Sequence, residues 1–154
     1  MDDEPDFHFL GNHLAVDFLN TVARGPDGPV DRIPDADAWR RWVVAVGLPS
    51  LDFGAPDVAS AFQSVPALRS AIRSCLDAWK SGDPPPPRDL AQVNAVLESP
   101  PPSPPLVVTD GAWRRQAPTV ASSPTEPLWH IADAAATLLA TGDRRRFKAC
   151  SGHD

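Results

Sequence analysis

Apolar positions in this chain recur mostly at helical spacing. A short apolar run at 7–10 is long enough for one strand or an extended lead-in, and Gly11-Asn12 then breaks it, with Asn12 as a candidate N-cap. From His13 onward Leu14, Phe18 and Val22 repeat at i, i+4 with Ala15 and Leu19 beside them, so a helix with a wide buried stripe is expected there. Residues 24–34 hold two glycines, three prolines and alternating charges, and read as a loop. Pro34-Asp35 opens a second helix with Trp39, Val43 and Val46 on one face and Trp42 beside them; Gly47 stops it.

A weaker helix is expected over 56–63. A stronger one follows over 66–80, with Pro66 in its first turn, Leu68, Ile72, Cys75, Leu76 and Trp79 facing inward, and Gly82 closing it. Proline runs at 84–87 and 100–105 cannot continue a helix and favour polyproline II. Between them Leu90, Val93, Asn94 and Leu97 mark one more short amphipathic helix. Leu106-Val107-Val108-Thr109, then Asp110-Gly111, then Ala112-Trp113-Arg114-Arg115 is the signature of an antiparallel hairpin around a type I′ turn. A last helix is expected over about 126–141, ending at Gly142. The pattern therefore predicts a mainly α chain with one small antiparallel β-hairpin, an α+β fold in a single compact domain.

Composition narrows the function. The 154 residues carry a net charge of −6, with Asp2, Asp3, Glu4 and Asp6 crowded at the start, so there is no global field to attract a phosphate backbone. Nineteen prolines, with abundant Ala, Arg and Asp, fit a bacterial genome of high GC content. Two cysteines, Cys75 and Cys150, make no disulfide framework, and no apolar segment is long enough to span a bilayer. A cytoplasmic protein with no membrane partner is expected.

No Gly-rich phosphate loop, His-Glu-x-x-His or Gly-x-Ser-x-Gly elbow is present, so the chain reads as a non-enzyme. In the first expected helix His13, Asp17, Asn20 and Thr21 would share one polar stripe, either a solvated face or the lining of a pocket. His130, Asp133 and Thr137 make a similar line in the last helix, where His130 and Asp133 could pair. Arg69 and Arg73 stand one turn apart, either solvated or turned toward an anionic ligand. Cys75, beside Ile72 and Leu76, is expected to be an inert core thiol. The basic run Arg144, Arg145 and Arg146 leads to Cys150.

Two stretches carry a family resemblance. Phe9-Leu10-Gly11-Asn12-His13-Leu14-Ala15-Val16-Asp17-Phe18-Leu19-Asn20-Thr21 resembles the opening motif of the ABATE domain, a family of stress-induced transcription regulators. Asp17, Asn20 and Thr21 match that motif, and Val16 stands where Leu is more usual. The segment from Arg146 to Asp154 is similar to the first residues of the CGNR zinc finger that follows the ABATE domain in that family.

The resemblance implies an effector-binding domain over 1–142 and, over 143–154, the basic stub of a zinc finger cut off as it begins. It makes Cys150 the first of four zinc ligands, so zinc belongs to a longer parent protein and no cofactor is expected in this stretch. DNA would be reached only through the finger, with Arg144, Arg145 and Arg146 as weak contributors. The implied function is ligand sensing for a one-component, stress-responsive regulator, with a small-molecule effector held by Asp17, Asn20, Thr21, His13, Arg69 and His130. One alternative is a homodimerisation module that positions two fingers, which would show as Trp39 or Trp42 exposed on a flat apolar patch. A more distant one is a small enzyme using His130–Asp133 or His13–Asp17 as an acid–base pair.

Overall fold

The computed structural model describes residues 12–143, together with Phe7 and Phe9. The run at 7–10 lies partly outside the described residues, and Arg144, Arg145, Arg146 and Cys150 lie wholly outside them.

The first helix is shorter than its apolar spacing predicts. Asn12 takes a left-handed backbone at φ 46°, which makes His13 the N-cap, and α1 covers only Leu14–Leu19. Side chains end it. The Thr21 hydroxyl donates to the Phe18 carbonyl at 2.6 Å, and Arg73 donates to the Leu19 carbonyl at 2.7 Å. Those carbonyls are the acceptors that the N–H groups of Val22 and Ala23 would need for another turn. Val22 instead enters β1 (Val22–Gly25), which pairs antiparallel with β2 (Gly28–Asp31) in the register Val22↔Asp31 to Gly25↔Gly28. A second hairpin thus replaces the expected loop over 24–34. Its turn was written in Pro26-Asp27-Gly28: proline presets φ, and Gly28 supplies the φ of 127° that closes the corner.

The helices that follow sit close to their expected places. Asp35 caps α2 (Ala36–Ala45), its carboxylate accepting the Ala38 N–H at 2.8 Å. Asp35→Ala should cost about 1 kcal/mol, read as a lower denaturation midpoint at unchanged slope. Next come α3 (Ala55–Phe62), α4 (Val65–Ser81), closed by Gly82 at φ 80°, and α5 (Pro87–Leu97), which begins on the last proline of the first run. The hairpin of β3 (Leu106–Thr109) and β4 (Ala112–Arg115) turns through Asp110 at φ 52° and Gly111 at φ 75°, both left-handed as a type I′ turn requires. Finally α6 runs over Glu126–Thr141.

Helix α4 is the centre of the packing, touching α1, α3, α5 and α6, while α1 also lies along α6. Around it the core gathers Phe18, Ile33, Trp39, Trp42, Val43, Leu68, Ile72 and Ile131, each 2% exposed or less. Trp39 and Trp42 stack at 5.5 Å and 11°, and Phe18 leans on Trp42 at 5.5 Å. One further link shapes the surface. Ser50 bridges to the segment after β4: its N–H donates to the Thr119 carbonyl and its own carbonyl accepts from Ala121, both at 2.9 Å.

Candidate functional site

The residues singled out from sequence separate into three places. The first is the corner between α1 and β1. Arg69 is buried on α4, and its guanidinium forms a two-pronged pair with the Asp31 carboxylate at the end of β2. It also donates to the Thr21 hydroxyl at 2.8 Å and lies 5.9 Å above the Phe18 ring. Asp31 also accepts the Ile33 N–H at 2.9 Å. Asn20 is the C-cap of α1 and half-buried. Neither Arg69 nor Arg73 is simply solvated: one locks the hairpin to α4, and the other ends α1. Arg69, Thr21 and Asn20 line neither of the two cavities described next.

The second place is a recess of about 300 Å³ beside α1 and the end of α2, lined by Asn12, His13, Asp17 and Val46 among others. Asp17 is buried, and the two residues expected to share a stripe do face one space. Asn20 and Thr21 do not join them, because α1 ends before the stripe can continue.

The third is a cleft of about 320 Å³ at the start of α6. Five prolines wall it, Pro49, Pro101, Pro102, Pro104 and Pro118, and α6 contributes Glu126, Trp129 and His130. The Ser50 bridge holds two of these walls together, by fastening the chain after Pro49 to the chain after Pro118. Trp129 donates its indole N–H to the Leu97 carbonyl at 3.2 Å and meets the His130 ring edge-on at 5.4 Å.

His130 does not pair with Asp133, which is exposed; its Nε2 faces Glu126 Oε1 at 3.4 Å, one helical turn back. The i, i+4 neighbour wins because Glu126 sits on the buried side of α6, whereas Asp133 points to solvent. Sequence reasoning missed Glu126, although its spacing from His130 was visible.

Burial alone would push the Glu126 carboxyl up. The hydroxyl and backbone N–H of Ser122 donate into it, His130 adds a hydrogen bond and, when protonated, charge, and together these outweigh burial and hold it below its ordinary range. Stability from Glu126 is fully present above the unfolded carboxylate pKa and is lost as pH falls through the lower folded value. Thermal unfolding from neutral pH downward should therefore show the native chain above Glu126→Gln at neutral pH, with the gap closing only below the ordinary carboxylate range. A gap that closed above that range, or that kept its size as the pH fell below it, would refute a lowered carboxyl.

Residues 12–142 match the model of the ABATE family, described as "Putative stress-induced transcription regulator". The chain belongs to the ABATE family. No curated protein and no solved structure matches it. Within the ABATE domain, the motif residues Asn20 and Thr21 build the α1–β1 corner, and Asp17 lies buried beside the first-helix recess.

Among the described residues no three His, Cys, Asp or Glu side chains come together as a metal site needs. Cys75 lies in the core, where burial first and the charge of Asp89 second push its thiol up, away from the reactive thiolate. None of the described helices is long and apolar enough to cross a membrane.

Proposed function

We propose that this ABATE domain binds a small-molecule effector for a transcription regulator, and that the cleft at the start of α6 is where it binds. The observation that carries this reading is the reach of one helix. Glu126, Trp129 and His130 stand in the cleft at one end of α6, and Thr141 ends the same helix four turns on from Glu126, about 22 Å away. A ligand that fits one tilt of α6 better than another shifts the balance between them, and the shift reaches whatever follows Thr141. In the family reading that is the basic run Arg144, Arg145 and Arg146 and the zinc finger opening at Cys150, through which DNA is bound. Of the effector-binding set, His130 contacts the ligand; His13 and Asp17 offer a second recess; Asn20, Thr21 and Arg69 support the frame. A regulator rather than an enzyme is the consistent reading, since among the described residues His130 is held by Glu126 without a further acid–base partner drawn toward it.

A thermal-shift screen against a metabolite library tests this. A ligand at about a hundredfold over its dissociation constant should raise Tm by roughly 5 to 10 °C, with the gain lost in His130→Ala. No stabilising compound in a broad library, or hits indifferent to His130→Ala, would remove the cleft from consideration.

The exposed hairpin favours a second reading, assembly of two copies. Trp39 and Trp42, the indoles expected to mark such a surface, are in the core; Trp113 is 72% exposed instead, with Leu106 and Val108 beside it on the same face. The pair Thr109↔Ala112 closes the turn, so Leu106 and Val108 direct their backbone groups outward along an uncharged edge. Arg114 and Arg115 make the opposite edge repel its own copy, which leaves β3 against β3. Sedimentation should then show a dimer that Val108→Lys dissolves; a monomer at every concentration would end this reading.

A further inference from the structure

The walls of the α6 cleft are selective in what they offer. Proline has no backbone N–H, so five of the lining residues present carbonyl acceptors and CH surface but no amide donor. Among the described residues, only Gly47, Ser103 and Ala117 outside the helix could supply an N–H, and no Lys or Arg lines the cleft. An anion needs a convergence of such donors or cations, and this lining lacks it.

Among the described residues the one carboxylate in the lining is Glu126, whose side chain is 2% exposed. Its Oε2 is occupied by the Ser122 hydroxyl, and Oε1 faces His130. With the His130 ring neutral, an ionised Glu126 calls for its one N–H on Nε2, which leaves Nδ1 as a hydrogen-bond acceptor. His130 keeps part of its ring accessible, 30% of the side chain. Beside it Trp129 has fastened its only polar atom to Leu97, so what remains for the cleft is aromatic surface.

We infer that the cleft takes a flat apolar ligand bearing a protonated amine, its ring against Trp129 and the proline walls and its ammonium directed to His130 and the charge of Glu126. This ligand class presupposes the effector-binding reading of the same cleft. The aromatic face, the acceptor nitrogen and the buried negative charge all favour a cation, and the same features oppose a carboxylate or phosphate of equal size.

Two probes of matched shape and opposite charge separate the outcomes: phenethylamine and phenylacetate, titrated into the full chain and followed by heteronuclear NMR. The indole N–H signal of Trp129 and the ring signals of His130 report on the cleft, and the exposed Trp113 N–H reports on non-specific contact. Phenethylamine should move the Trp129 and His130 signals with a dissociation constant about tenfold or more below that of phenylacetate. Trp129→Leu, which keeps an apolar side chain on α6, should weaken the amine about tenfold while leaving the rest of the spectrum folded. If phenylacetate binds the cleft as tightly as the amine, the ligand class is wrong and the effector-binding reading stands. If neither probe moves Trp129 or His130, or if only Trp113 responds, the ligand class and the binding reading of this cleft fall together.

Discussion

Trp42→Ala is expected to cost about 4 kcal/mol and to lower Tm by about 8 to 16 °C. Trp42 is fully buried, stacked on Trp39 and touched by Phe18, so truncation removes one ring of a three-ring cluster and leaves a hole between α1 and α2. The neighbours cannot close it cheaply. Phe18 is held by the short α1, whose end is tied to α4 through Thr21 and Arg73, and Trp39 is itself without exposed surface. A domain of this size has roughly 5–15 kcal/mol in total, so the variant should sit near the edge of folding. Val44→Ala on the exposed side of the same helix is the control and should stay within about 0.5 kcal/mol. Chemical denaturation of both variants reads the difference, and a Trp42→Ala loss under about 1 kcal/mol would mean that the cluster is not packed as described.

The second large effect is asymmetric. Arg69 and Asp31 form one pair, but the arginine side chain is 7% exposed and the aspartate 36%. Removing Asp31 strands a guanidinium in the core and takes the acceptor from the Ile33 N–H; removing Arg69 leaves a carboxylate that water can still reach. Asp31→Ala should therefore cost about 3–4 kcal/mol and Arg69→Met about 2, although Asp31 is by far the more exposed residue. The double variant should be no worse than Asp31→Ala alone, since the stranded charge has gone with its partner. Costs ranked by exposure, with Arg69→Met the worse, or strictly additive losses, would show that Arg69 acts through its packing and not through the pair.

Most helices were legible because their evidence is local. In α4 the inward residues Leu68, Ile72, Cys75 and Leu76 recur with the period of one helix face, and Pro66 and Gly82 mark its ends. The β3–β4 hairpin was legible for the same reason: Asp110-Gly111 accepts the two left-handed conformations that a type I′ turn demands. The β1–β2 hairpin was not read, although Pro26-Asp27-Gly28 is a turn signal, since its strands are four residues long and carry little apolar alternation. The exposed Trp113 and the buried Trp39 and Trp42 show a further limit: each indole looks alike in sequence, and only the packing decides which is covered.

By itself the sequence determined the helix positions, the β3–β4 turn, the absence of familiar catalytic motifs and, through the Asp17–Asn20–Thr21 motif, the family. Periodicity, caps and turn residues act over a few positions, so they survive without knowledge of the rest of the chain. Tertiary structure decided where α1 stops, because the groups that take its last carbonyls include Arg73, 54 residues away. It decided that Arg69 holds Asp31 rather than open solvent, that His130 turns to Glu126 and not to Asp133, and that prolines from three separate segments close around Trp129. Those outcomes depend on which side chains reach a common point in space, and distance along the chain carries no information about that.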